Sequence, residues 1–535
     1  MKTTGKNRRT YLNIFGIGVF AGSCLAVAFS ADLPSTLNPA SMRAVSNVDV
    51  RFQAYNIEML EVTGGRFWKP YKELQTNSAQ NDTDRPGSTP PGMSANMYQY
   101  RPPTDLKNAR LRKLAAALGP AYVRVSGTWA NTTYFYDASG PAPKTPPKGF
   151  NSALTREQWK GVIDFSHAVN AEIVTSFAVS DGTRNAEGVW MPDQARAFLS
   201  YTKSAGGKIA AAEFMNEPNL ATIGGAPKGY DAAAYARDTA LFHNFLKNTS
   251  PGTLFAGPGS VGENSSTAVP LGNGMLPSRD VLKAVGPVYD IFSYHLYPAI
   301  SQRCAAISPA MGTTAAVALS TEWLARPDAI NGYYTSLRDE FEPGKPIWIT
   351  EAADAACGGN PWASTFLDTF RYVDEHARLA QQGVRVIFHN TLAASDYSLV
   401  DENTFAPRPN YWAALLWHRL MGTTVLKPAS SGAGDLRLYA HCMDGVPGGV
   451  TLLAINTNRH HPQPLAVSAA SEQYTLTAPI LEGTRVDLNG TELKLVSDDS
   501  IPALNGVPVS AGSITLPPAS ITFLAVRNAK NASCR

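Results

Sequence analysis

Short apolar runs alternate with stretches of helical periodicity through the middle of the chain. The runs are Arg51–Met59, Ala121–Ser126, Glu172–Val179, Ile209–Met215, Thr253–Ala256, Tyr289–Tyr297, Pro346–Glu351 and Val384–His389. Most are near-continuous and β-rich, the pattern of strands covered on both faces. Between them lie amphipathic segments: Asp105–Leu118, Arg156–Val169, Pro192–Ser204, Ala232–Lys247 and Trp362–Gln382. Strands alternating with helices predict an α/β fold with a parallel sheet, and eight repeats predict closure into a (β/α)₈ barrel.

From Met421 the helical period stops. Short alternating runs replace it, at Leu436–His441, Gly449–Thr457, Gln473–Thr477, Arg485–Leu488, Glu492–Leu495 and Ser520–Arg527, with Gly, Pro and Asn between them. That pattern predicts an antiparallel β-sandwich. The expected organisation is a catalytic barrel over residues 51–420 and a sandwich over 421–535, which residues 31–50 join as an added edge strand. Gln75–Pro103, rich in Pro, Ser, Asn and Gly, reads as a long loop after the first barrel strand, on the face where barrels carry their chemistry. Asp137–Gly149 reads as a shorter exposed loop.

The bulk numbers agree with two globular domains: 535 residues, 44% hydrophobic and 17% charged. A net charge of +3 gives no footprint for nucleic acid or a strongly anionic polymer. The basic cluster Lys6-Asn7-Arg8-Arg9, with Lys2 before it and apolar residues from Tyr11 to Phe29 after it, predicts an export signal over residues 1–30, cut near Ala28-Phe29-Ser30. An uncleaved anchor is the competing reading. Both place the body outside the cytoplasm, secreted or periplasmic, and no other segment is apolar for long enough to span a bilayer. Without Cys24 the chain keeps Cys304, Cys357, Cys442 and Cys534, an even set suited to an oxidising compartment. Three pairings are open. Their placement in the domains favours Cys442–Cys534 and Cys304–Cys357 over free thiols.

The chemistry rests on two glutamates. Asn216-Glu217-Pro218 closes the fourth apolar run, and Glu351 closes the seventh. Catalytic groups of a barrel sit at the C-terminal ends of several strands, and two carboxyls across a sugar are the working parts of a glycosidase. Glu217 is the expected acid/base, with its pKa raised by a neighbouring carboxylate. Asn216 is the expected donor to the sugar 2-hydroxyl. A helix start with Pro at its first position is the bland alternative for this triplet. Glu213 is a decoy whose side chain has two possible directions. Glu351 is the expected nucleophile, for a separation of about 5–5.5 Å; about 6.5–9.5 Å would instead give inversion. Other residues expected to line the site are Asn56 in the first strand, Thr128 after the second, Tyr294, His295 and Tyr297 ending the sixth, and Tyr397 after the eighth. Gly358-Gly359 can turn backbone N–H groups toward an anion, although a plain turn explains the pair equally well. No internal repeat, zinc-type ligand spacing, phosphate-cradling Gly loop or nucleophile elbow is present, and no cofactor or metal is implied.

Several segments together resemble the heparanase family, glycoside hydrolase family 79. They are Pro120-Ala-Tyr-Val-Arg-Val-Ser-Gly-Thr128, Phe214-Met-Asn-Glu-Pro-Asn219, Trp348-Ile-Thr-Glu351 with Gly358-Gly359, Tyr397-Ser-Leu-Val-Asp-Glu-Asn403 with Pro409-Asn-Tyr-Trp412, and Val526-Arg-Asn-Ala-Lys-Asn-Ala-Ser-Cys534. The resemblance implies a retaining β-glucuronidase with Glu217 as acid/base and Glu351 as nucleophile. It also implies a substrate carboxylate held by the Gly358 and Gly359 N–H groups and the Tyr397 hydroxyl, and a Cys442–Cys534 bridge. The partner implied is a glucuronic-acid-containing oligo- or polysaccharide. The chain departs from the animal enzymes in having one more residue between Glu351 and the glycine pair. It also has Cys357 where they have Tyr, lacks their basic clusters, and has no counterpart of their excised linker, so a single active chain is expected. Exo action is favoured over endo action, and a retaining glycosidase on a neutral sugar and a non-catalytic carbohydrate-binding protein are the remaining readings.

Overall fold

The computed structural model describes residues 36–74, 94–263, 275–306, 312–432 and 434–535. The expected signal segment, Cys24 and residues 75–93 of the expected loop lie outside these. Among the described residues no helix is long and apolar enough to cross a membrane.

Eight parallel strands close into a barrel. They are β1 (Gln53–Glu58), β2 (Ala121–Ser126), β3 (Ala171–Ser176), β4 (Ile209–Glu213), β5 (Leu254–Val261), β6 (Ile291–Leu296), β7 (Ile347–Ala352) and β8 (Val384–His389). Each pairs with its neighbours in sequence, and β8 closes on β1. Both faces are buried because the strands serve two cores. Outward residues such as Val123, Val125, Ile173, Phe292 and Ile387 meet the helices. Inward residues Ala54, Tyr122, Val174, Ala211, Ala256, Ile291, Trp348, Val386 and Phe388 fill the barrel floor. The Tyr122, Trp348 and Phe388 rings pack at 4.8–6.0 Å and plug that end, so the open positions of the interior lie toward the strand C-termini.

The C-terminal region is a nine-stranded antiparallel sheet. Arg43–Asn47 forms one edge by pairing with Met421–Lys427. Tyr439, Leu453, Ile455, Ile521 and Phe523 on one face belong to the same core as the barrel helices Phe366–Gln381 and Pro409–Leu420. The opposite face, with Leu438, Ala440, Leu452, Ala454 and Leu524, is covered by Leu37, Met42 and the paired strands Gln463–Val467 and Gly512–Leu516. The second layer of the sandwich is therefore small, and the barrel supplies the rest of the cover.

Two disulfides are present, Cys442–Cys534 within the sheet region and Cys304–Cys357 between the loops after β6 and β7. The segment expected as a structureless loop differs in its described part. Tyr98–Arg101 pairs antiparallel with Gly65–Trp68, so the chain after β1 builds a two-stranded ribbon on the catalytic face. Tyr98 and Trp68 stack at 4.6 Å, which gives that pairing an aromatic anchor that a Pro/Ser-rich composition hides.

Candidate active site

Glu217 lies four residues past the end of β4, and Pro218 opens the 3-10 turn Pro218–Leu220. A residue before proline is denied the right-handed helical region, and Glu217 takes the left-handed one, with φ 51° and ψ 64°. Such strain in a non-glycine residue is held by its surroundings. Here Asn131 grips the turn from both sides, accepting from Asn216 N at 2.8 Å and donating to Asn216 O at 2.9 Å.

Glu351 owes its direction to an irregularity in β7. Tyr294 is level with Ile349, yet the next residue, His295, is level with Glu351, so Thr350 is the extra residue of a bulge. A strand's side chains alternate between faces, and a bulge resets that alternation. As a result Thr350 reaches Glu213 Oε1 (2.8 Å) and Glu351 faces His295 and Arg124 (3.7 and 3.1 Å) on the same interior side.

The two carboxylates converge. Glu217 Oε1 lies 2.9 Å from His295 Nδ1, and Glu351 Oε2 lies 3.7 Å from the same nitrogen. One oxygen of each glutamate and that nitrogen all fall within 4.8 Å of one another. Side-chain exposures of 14% for Glu217 and 8% for Glu351 leave each a narrow opening to solvent.

Arg124, fully buried on β2, organises the acids from below. It donates to Glu213 Oε2 (2.9 Å), Glu351 Oε2 (3.1 Å) and Asn216 Oδ1 (2.8 Å), and reaches His295 Nε2 at 3.3 Å. A guanidinium only donates. His295 Nε2 must therefore accept, its proton sits on Nδ1, and Nδ1–H points to Glu217. Burial pushes the His295 pKa down to about 4, which keeps the ring neutral in that tautomer. The same logic orients Asn216. Its oxygen is taken by Arg124, which leaves its amide hydrogens as donors.

These contacts separate the acids. Burial raises Glu217 to about 7, opposed by Arg124. Glu213 is lowered despite burial, because the Arg124 charge and the Thr350 hydroxyl stabilise its carboxylate. Glu351 Oε1 accepts from the Tyr297 hydroxyl and sits 3.5 Å from Asn390 Nδ2. Asn390 also donates to the hydroxyls of Tyr297 and Tyr397, both at 3.0 Å. Glu217, His295 and Glu351 are spaced as metal ligands are, but a cation there would sit against the Arg124 guanidinium.

The expected site residues divide. His295 and Tyr297 touch the two glutamates, while Asn216 and Tyr397 join them through Arg124 and Asn390. Gly358 and Gly359, at φ 78° and 83°, lie beside Tyr397: a Cβ on Gly359 would stand 3.1 Å from its ring. Neither N–H has a partner among the described residues. Thr128 starts a 3-10 turn at the half-exposed rim after β2. Tyr294 is a correction. Alternation along β6 turns it outward, where its hydroxyl donates to Asn331 at 2.8 Å and its ring stacks on Tyr334 at 4.4 Å. Asn56 lies level with Arg124, and its amide donates to the Thr350 carbonyl at 3.2 Å, bracing the bulge.

Sequence reasoning gave no role to Arg124, Glu58 or Asn390. Glu58 ends β1, packed so tightly on Gly127 that a Cβ there would meet Glu58 Oε2 at 1.5 Å. Burial and then the Glu351 charge push its carboxyl well above the ordinary range. Its backbone N–H donates to Glu61 Oε2 at 2.8 Å, while its own Oε2 has no hydrogen-bond partner among the described residues. The signal available was positional: Glu58 ends a barrel strand, and Glu217 and Glu351 close apolar runs in the same way.

No protein-family model matches the chain. The chain is similar to heparanase-like protein 1 of Arabidopsis thaliana, 25% identical over 489 residues that cover 80% of this chain and 86% of that protein. It is similar to heparanase of Mus musculus, 28% identical over 500 residues that cover 81% and 88%. Among solved structures, a 4-O-α-L-rhamnosyl-β-D-glucuronidase from Fusarium oxysporum 12S superposes with a TM-score of 0.60 at 12% identity, covering 91% of this chain and 99% of that one. That last likeness is one of fold.

Proposed function

Proceeding from homology to the heparanases, which spans most of the chain, we propose that this protein is a retaining β-glucuronidase. The observation that carries the proposal is that one carboxylate oxygen of Glu217 and one of Glu351 come within 4.8 Å of each other beside the His295 ring. Carboxyls about 5–5.5 Å apart suit attack by one and protonation by the other, whereas inversion needs about 6.5–9.5 Å for an intervening water.

In this reading Glu217 holds a proton near neutral pH because burial raises it to about 7. It passes that proton to the glycosidic oxygen while Glu351 attacks the anomeric carbon and forms a sugar ester. Glu217, now a base, draws a proton from water, which releases the sugar with its configuration retained. His295 Nδ1–H steadies Glu217 Oε1 through both steps and leaves Oε2 to carry the proton. Arg124, donating to Glu351 Oε2 at 3.1 Å, holds that carboxylate in place for attack. The Asn216 amide is placed to donate to the 2-hydroxyl. The Gly358 and Gly359 N–H groups and the Tyr397 hydroxyl receive the uronate carboxylate without an arginine fork, since oriented dipoles suffice in a dry site.

Exo action is the favoured form. What supports it is the ribbon formed by Gly65–Trp68 and Tyr98–Arg101, held by an Arg101–Glu402 ion pair and by Arg303 on the Lys69 carbonyl, with Trp68 packed against Gly358. Export across a membrane is part of the proposal, supported by the two disulfides.

The test is hydrolysis of an aryl β-D-glucuronide, the matching β-glucoside and a glucuronate-containing polymer, with the first product followed by NMR. The expected result is rapid release from the glucuronide, a β-configured first product and slow loss of polymer length. An α-configured first product, or preference for the glucoside, contradicts the proposal. Rapid chain shortening replaces exo with endo action.

A further inference from the structure

Resting on the reading of the site as a uronate pocket, we propose that the 3-10 turn Gln302–Cys304 after β6 is the positioning element of that pocket and sets its preference for an anionic sugar. Each residue of the turn holds a different part of the receptor. Gln302 N donates to Asn360 Oδ1 at 3.2 Å, and Asn360 directly follows Gly359. Cys304 is bonded to Cys357, which directly precedes Gly358. The glycine pair is thus held at both ends by one turn.

Arg303, between them, reaches the other half of the receptor. Its Nη2 donates to Asp396 Oδ2 at 2.6 Å, and Asp396 directly precedes Tyr397. Its Nη1 donates to the Lys69 carbonyl at 2.6 Å, and the guanidinium lies 4.2 Å from the Tyr71 ring centroid. This cation is 1% exposed. The turn therefore joins the loops that follow β1, β7 and β8. Backbone bonds extend the seam: Ala356 N to Ala299 O and Ser301 N to Ala356 O, both 3.0 Å, with the Ser301 hydroxyl on Cys357 O at 3.0 Å.

The held segment needs holding. Cys357, Gly358 and Gly359 take φ of 66°, 78° and 83° in succession. A cysteine seldom adopts that region, and among the described residues no bond within the segment satisfies the two glycine N–H groups. Their alignment comes from the links at the ends and from close packing, a Cβ on Gly358 falling 2.6 Å from Trp68 Cγ. The catalytic glutamates make no direct bond to the turn; β7 and Arg124 place Glu351, and Asn131 holds the segment before Glu217. Loosening the turn should weaken the charge-assisted contacts to a carboxylate and leave bond cleavage alone.

The test compares the full chain with its C304S/C357S variant. The readouts are kinetics on an aryl β-glucuronide and inhibition by a glucuronic-acid-configured iminosugar and its neutral glucose-configured counterpart. The expected result is a KM and an acidic-inhibitor Ki raised about tenfold, kcat within about twofold and the neutral Ki unchanged. Equal weakening of both inhibitors, or no change in either, overturns the proposal. If the double variant does not fold, Arg303→Met replaces it and should show the same selective loss, with Arg303→Lys restoring part of it; a non-selective loss overturns the proposal there too. An unmodified protein that does not prefer the acidic inhibitor overturns the uronate reading and this proposal with it. One that prefers it while the variant keeps that preference overturns this proposal alone.

Discussion

Two buried arginines anchor two buried acid clusters, and only one cluster has the form of an active site. Arg371, on the helix Phe366–Gln381, binds Asp368 at 2.7 Å and Glu375 at 3.1 Å, one turn away on either side. Asp374 nearby accepts from the Tyr439 hydroxyl at 2.6 Å and pairs with Arg378 at 3.0 Å, tying the helix to the C-terminal sheet. Titrations are perturbed here as well: burial lifts Glu375 to about 7, and burial with the Asp368 charge lifts Asp354 to about 8. Arg124 has similar burial and partners, but its partners arrive from β4, β6 and β7. Helix spacing assembles the first cluster to join two layers. The barrel assembles the second around a shared space into which two carboxylates point. Perturbed acids alone do not mark a site; convergence of separate strands on one opening does.

The largest expected contrast is between Glu351→Gln and Glu375→Gln. The first removes the proposed nucleophile and should lower kcat by about 10⁴-fold or more, and the second should leave turnover per folded molecule unchanged. Steady-state kinetics on an aryl β-glucuronide read both. Next, Arg124→Met and Arg371→Met should each cost about 3–5 kcal/mol in denaturant unfolding, because each strands buried carboxylates. Only Arg124→Met should also reduce turnover of the remaining folded protein. Equal activity losses in the two variants would erase the distinction between the clusters.

A pH profile sharpens the comparison further. In the proposed mechanism Glu217 works as an acid, so its protonated form is the active one. With its pKa near 7, kcat/KM should fall about tenfold per unit above pH 7, and Glu217→Gln should abolish that limb. The limb should survive in Glu375→Gln, although that residue titrates in the same range. Tyr397→Phe should lower kcat/KM on the glucuronide about tenfold and spare a neutral glycoside. The smallest effect belongs to Tyr439→Phe, about 1 kcal/mol of stability with kinetics unchanged.

The strands were legible because a barrel strand is apolar on both faces, and six residues of Ala121–Ser126 or Val384–His389 show that without any partner. Glu217 and Glu351 were legible because each closes such a run. Their mutual approach was not, since it depends on the Thr350 bulge, a mismatch between two strands. Arg124 lay inside an apolar run as an apparent exception, and its meaning comes from Glu213 and Glu351, 89 and 227 residues away. Tyr294 misled because an aromatic ending a strand shows no face until the register is known. The helix Thr321–Phe341 went unread because Pro327 interrupts its pattern, and Pro409–Leu420 because it is buried all round and shows no polar stripe.

The assignment of Glu217 and Glu351 to opposite sides of one anomeric carbon is tested by trapping the sugar ester. The protein is incubated with a 2-deoxy-2-fluoro-β-D-glucuronide carrying a good leaving group, then digested and sequenced by mass spectrometry. One fluoroglucuronyl group esterified to Glu351, accumulating as activity falls, is the expected finding. A label on any other residue, or inactivation with no label on the peptide that contains Glu351, would contradict it.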